Sequence, residues 1–211
     1  MPARLQASLT IAAVLTLPFY PAAAHVPFLR PQLSPLLRAA HCVAAARLQV
    51  QHADARGRHR VVATAIASWC GRTLPQPLDL ELPTGVPAES WAVLFLRREG
   101  GQWQAIQQEG AALPLHREDF GTVHRALARA FHLAQRGLIS GEAVRRPWWW
   151  LLQARDETWR LRAAVELRAA QEHGAVWSTS EQATLSELLR ERGDTPEIRL
   201  LRAPLSSRSA E

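Results

Sequence analysis

The sequence predicts an α+β protein: a small five-stranded antiparallel β-barrel followed by an α-helical region. Three observations carry this expectation. From residue 42 to about residue 106, apolar positions alternate with period two, as half-buried strands require. Beyond about residue 120 the period lengthens to that of an amphipathic helix. The chain's two cysteines, Cys42 and Cys70, stand at the outer ends of the first two alternating runs.

The elements follow in chain order. Arg4 is the lone charge of a short n-region, residues 9–17 form an apolar core, and Pro18 breaks it. Ala22-Ala23-Ala24 supplies a small-residue cleavage site, so residues 1–24 are read as a Sec-type signal peptide cut after Ala24. The apolar run is too short to anchor the chain across a bilayer, and a periplasmic or secreted protein with no transmembrane anchor is expected. Residues 25–37 carry Pro27, Pro31 and Pro35 and are read as an extended lead-in, with a helical turn at 36–40 before the first strand. The barrel is assigned to 38–112, the helical region to 113–203, and a flexible tail to 204–211.

In the first strand Cys42, Ala44, Ala46, Leu48 and Val50 share a face. In the second, Val62, Thr64, Ile66, Ser68 and Cys70 do. A polar, glycine-bearing turn at 54–58 joins them. A register centred near residue 56 pairs Cys42 with Cys70, Ala46 with Ile66 and Val50 with Val62, so that every pair joins two residues of one face. Opposed antiparallel residues have Cα atoms roughly 4.5 to 5.5 Å apart, within disulfide range. A Cys42–Cys70 bridge is therefore predicted, worth about 3 to 4 kcal/mol in the chain-entropy model. The alternative is two buried free thiols on the inward face.

Leu78, Leu80 and Leu82 alternate with acids in a third strand having one wet face. The apolar run at 91–96 fits a fourth strand buried on both faces, and Glu99-Gly100-Gly101 turns into a fifth at 102–106. Five short strands opening with a long hairpin suit a barrel of the OB type.

The run from Val62 to Gly71, followed by Trp91-Ala92-Val93-Leu94-Phe95-Leu96, resembles bacterial exported proteins of unknown function that carry a netrin-module-like (tissue-inhibitor-like) OB barrel. That pattern ends one strand in lysine-glycine and opens a later one with glycine-glutamate-x-tyrosine. Here Cys70-Gly71 and Ala88-Glu89-Ser90-Trp91 stand in those places. The resemblance spans about residues 41 to 108 and implies a fold, with no catalytic residues to carry over.

Five helical segments follow. The first, 122–135, has Asp119 available as a cap. Pro147 opens a short second one through Trp148, Trp149 and Trp150. The third covers 156–172, and the fourth starts at Ser180 and ends at Gly193. Pro196 begins a last short helix. The third and fourth resemble one HEAT-type helical pair; a solenoid needs about three repeats, so the pair is read as a cap beside the barrel.

Candidate sites are few. The formal charge is +6, carried by 25 basic residues that are all arginine and scattered along the chain. Scattered arginines in an exported protein argue against nucleic-acid binding. His116, His124 and His132 recur every eight residues, but eight residues of helix rise about 12 Å, so His124 and His132 cannot chelate one ion together. No zinc motif, other cofactor motif or nucleophile elbow is present. His25 would become the mature N-terminus, where amine and imidazole together can bind copper. Trp148, Trp149 and Trp150 point about 100° apart on a helix, so at least one should be partly exposed unless the segment wedges between barrel and helices. They are read as packing at the junction or as an aromatic platform for a sugar, peptide or membrane interface. The expected function is that of an exported non-enzymatic binding or envelope protein, acting through the barrel or the barrel–helix groove on an envelope protein or glycan. The alternative is a periplasmic copper-binding or redox protein using His25.

Overall fold

The computed structural model describes residues 32–53, 58–71, 73–82, 90–106, 110 and 112–203. The signal segment, His25, the hairpin turn at 54–57 and the tail lie outside the described residues.

The order of elements is α1 (Leu33–Ala39), β1 (Cys42–Ala53), β2 (His59–Ser68), β3 (Leu78–Leu82), β4 (Ser90–Glu99), β5 (Gln102–Ala105) and β6 (Ala112–Pro114). A 3-10 turn at Arg117–Asp119 leads into α2 (Phe120–Gln135), α3 (Glu142–Leu151), α4 (Glu157–Glu172), α5 (Thr179–Arg192) and α6 (Pro196–Arg202). The strands run antiparallel in the order β3-β2-β1-β4-β5. β5 and the short β6 divide one edge of β4 between them. β3 and β5 approach each other across the seam, so the sheet nearly closes into the expected five-stranded barrel.

β1 and β4 are central and buried on both faces, and each face has its own destination. Cys42, Ala44, Ala46, Leu48, Ala92, Leu94 and Leu96 fill the barrel interior together with Val61, Ala63 and the three leucines of β3. Val43, Ala45, Val93 and Phe95 point outward into a second core shared with every long helix. A strand that is apolar at both even and odd positions can serve two cores only because its side chains alternate.

The hairpin keeps its expected register at the ends and departs from it in the middle. Ala44 pairs with Ser68 and Ala53 with His59, but Ala46 pairs with Ala65 and Val50 with Val61. Ile66 is the extra residue of one bulge and Gln51 that of the other, on opposite strands, so the two slips cancel. Between the bulges the inward residues of β2 are therefore Val61 and Ala63, not Val62 and Thr64. Ile66 is exposed. Beyond the bulge the register is restored, and the Cys42–Cys70 disulfide forms with its Cα atoms 4.5 Å apart.

Three further expectations change. The lead-in is helical from Leu33, because Leu33, Leu36 and Leu37 bury against the helical layer and the carboxylate of Glu166 accepts the Ser34 backbone N–H at 2.9 Å and the Ser34 hydroxyl. Pro147 lies inside α3 instead of opening it: the helix starts five residues earlier, at Glu142, and its first turns carry Arg145, which is anchored on Glu181. Asp119 does not cap its own helix. Its carboxylate accepts the backbone N–H groups of Arg155 (2.7 Å) and Asp156 (2.9 Å), tying the start of α2 to the start of α4.

Candidate functional site

Among the described residues the most elaborate polar arrangement joins α3 to α5. α5 is a surface helix with a thin apolar stripe, in which only Leu188 is a fully buried hydrophobic residue. Its placement depends on polar fastenings at both ends. At the N-terminal end, Ser178 and Glu181 form a capping box, in which Ser178 Oγ accepts the Glu181 N–H and the Glu181 carboxylate accepts the Ser178 N–H. Glu181 Oε1 also accepts from Arg145 Nε (2.8 Å) and Trp149 Nε1 (2.9 Å), and Oε2 from Arg145 Nη2 (2.8 Å). A buried carboxylate with four donors is fully satisfied. Burial pushes this carboxyl up, but the Arg145 guanidinium, the Ser178 amide and the Trp149 indole outweigh that and hold it down at about 2. Trp177 closes the cluster, edge-on to Trp149 at 5.4 Å and beneath the Arg145 guanidinium at 5.5 Å.

At the C-terminal end of α5, Arg192 donates to the carbonyls of Leu152 (2.6 Å) and Gln153 (3.5 Å), just past α3. Between the two fastenings the helices stand apart and enclose a groove of about 340 Å³. Glu142, Arg146, Trp150 and Gln153 line one wall, Ser180 and Thr184 the other. The three tryptophans thus divide as their 100° spacing requires. Trp148 and Trp149 are buried, while Trp150 is half-buried on the groove with the Arg146 guanidinium 5.7 Å over its ring. The arrangement is an aromatic floor with hydroxyl, amide, carboxylate and guanidinium groups around it, the composition that orients a small polar ligand.

The barrel–helix junction is filled by rings. Trp69, at the end of β2 beside Cys70, packs on His124 at 5.3 Å. His124 packs on Phe120 at 5.6 Å, and Phe120 stands edge-on to Trp91 at 6.4 Å. Of the other spaced histidines, His132 is exposed and His116 pairs with Asp156 at 3.1 Å. A second open depression of about 390 Å³ beside His116 is bordered by Asp119 and Asp156, whose carboxylates are engaged in holding helix starts. Among the described residues no three His, Cys, Asp or Glu side chains are grouped to hold a metal ion. No helix there is long and apolar enough to cross a membrane.

Sequence reasoning named the tryptophans but missed Arg145, Glu181 and Thr184. The signal for Glu181 was present: Ser178-Thr179-Ser180-Glu181 is a capping-box pattern, and it places the helix start two residues ahead of Ser180. Nothing local marks Arg145 as its partner, 36 residues away.

No protein-family model, curated protein or solved structure matches this chain.

Proposed function

We propose that this chain is an exported, non-catalytic binding protein that holds a polar ring-shaped ligand, such as the end of an envelope glycan, in the groove between α3 and α5. The observation that carries the reading is the double fastening of α5. Two sets of buried or partly buried polar contacts hold a thinly packed helix at a fixed distance from α3, and the space so kept open has a tryptophan floor. An indole face packs against the C–H face of a sugar ring, while Gln153, Ser180 and Thr184 can exchange hydrogen bonds with its hydroxyls. A preorganised groove of this kind lowers the entropic cost of binding. Export is supported by the signal-like first 24 residues and by the disulfide, which persists in oxidising compartments.

The test is calorimetric titration and ligand-observed NMR of the purified mature chain against oligosaccharides and cell-wall glycan fragments. Binding that is lost in both Trp150→Ala, which removes the floor, and Thr184→Trp, which fills the space, supports the reading. Hydrolase or oxidase activity with no ligand sensitive to those two variants overturns it.

A further inference from the structure

The surface next to that groove, which shares Glu142 and Arg146 with it, carries a second inference. Of the large apolar side chains exposed among the described residues, Leu138, Ile139 and Val176 lie on two loops, and Ile66 alone lies elsewhere. Leu138 and Ile139 are in the loop between α2 and α3, and Val176 is in the loop between α4 and α5. Both loops border the first turn of α3. Val144 lines a small cleft with Leu138 and Ile139, and the next residue, Arg145, donates to the Val176 carbonyl at 3.4 Å. The loop tips therefore emerge at one end of the helical layer.

The exposures are large: 70% for Ile139 and 82% for Val176. Turn positions are ordinarily polar, and large apolar side chains held out in water on neighbouring loops are candidates for an interaction surface. The turns are built to hold them there, since Gly137 and Gly141 bracket the first pair with positive φ and Gly174 precedes Val176 in the same conformation. The surrounding charge is mainly basic. Arg38 and Arg136 are exposed near the first loop, and Arg146 is exposed one turn into α3. Of the exposed acids at this end, Glu172 is paired with Arg168, which leaves Glu142.

We propose that these loop tips dock on an anionic lipid surface, with Ile139, Leu138 and Val176 entering the interfacial layer and the arginines meeting the headgroups. Charge complementarity selects this occupant. Separate protruding tips also suit a fluid interface that closes around each of them, where a flat protein face would leave them partly wet.

Co-sedimentation of the mature chain with phosphatidylglycerol-containing vesicles tests this. Binding is expected to exceed that to pure phosphatidylcholine vesicles and to weaken with salt. It should fall at least roughly tenfold in the double variant I139S/V176S, because each removed side chain gives up apolar burial in the bilayer. The variant should melt as the parent does, both side chains being exposed, and Ile139→Trp should strengthen binding. Equal binding of parent and double variant, or no preference for the anionic vesicles, overturns the proposal. So does self-association abolished by I139S/V176S without vesicle binding, which would assign the tips to a second copy of the chain.

Discussion

The barrel and the helical layer are built on opposite principles. Among the described residues the barrel interior is packed by an apolar cluster with no buried charged side chain, and one disulfide closes it. Every buried charged side chain among the described residues, Asp119, Arg145, Arg162, Glu166, Arg168, Glu181 and Glu197, belongs to the helical half. Several of these acids serve helix starts: Glu166 that of α1, Asp119 that of α4, and Glu181 that of α5. A strand satisfies its backbone groups through its neighbours, whereas a helix leaves four N–H groups unpaired at its start. A helical layer whose helix starts are packed inside therefore has to bring acceptors there, and a barrel does not. The difference teaches where ligand chemistry can arise: buried charge that orders helix ends is also what keeps the α3–α5 groove open.

The largest expected effect breaks the polar side of this contrast. Glu181→Ala strands Arg145 and the Trp149 N–H, and should cost about 3 to 5 kcal/mol by urea denaturation. Replacing both partners, in R145M/E181L, should recover most of that loss while abolishing groove binding, separating the stability of the pair from its positioning role. On the apolar side, Cys42→Ala with Cys70→Ala should cost about 3 to 4 kcal/mol, and the parent should lose a similar amount on reduction.

Within the helical layer, two buried carboxyls differ in pH response. With its folded-state value at about 2, below the ordinary 4.5, Glu181 contributes stability that is complete above the ordinary value and is lost as pH falls from about 4.5 towards 2. The span corresponds to about 3 kcal/mol. Glu166 works the other way. Burial raises its carboxyl despite the Ser34 and Leu33 hydrogen bonds and the charge of Arg38, so its contribution is fullest below the ordinary carboxyl range and is lost as pH rises through its folded value. Denaturation midpoints followed through the acid and neutral range should show E181Q flattening the acid limb and E166Q gaining on the parent as pH rises.

The smallest effect sharpens the barrel register. Val61→Thr should cost about 1 to 3 kcal/mol, because it puts a hydroxyl in the barrel interior, while Val62→Thr should cost under about 0.5 kcal/mol. The reverse ranking would restore the unbulged register.

Much of the fold was legible because its signals are local. Alternation placed the strands, Asp156 marked the start of α4, and Gly193 and Pro196 bounded the last two helices. Paired alternating runs with a cysteine at each end brought Cys42 to Cys70 even though the middle of the register was misread. An unbulged hairpin and one with two cancelling bulges have the same ends, and only packing between Val61, Ala63 and the β3 leucines selects the second. The site was less legible. The sequence by itself determined that three adjacent tryptophans cannot share one core, a consequence of 100° per residue. Which of them faces outward, and what stands opposite, depended on Glu181 reaching Arg145 and on Arg192 reaching Leu152. Contacts between residues so far apart in the chain leave no periodicity behind, so only the tertiary structure decides them.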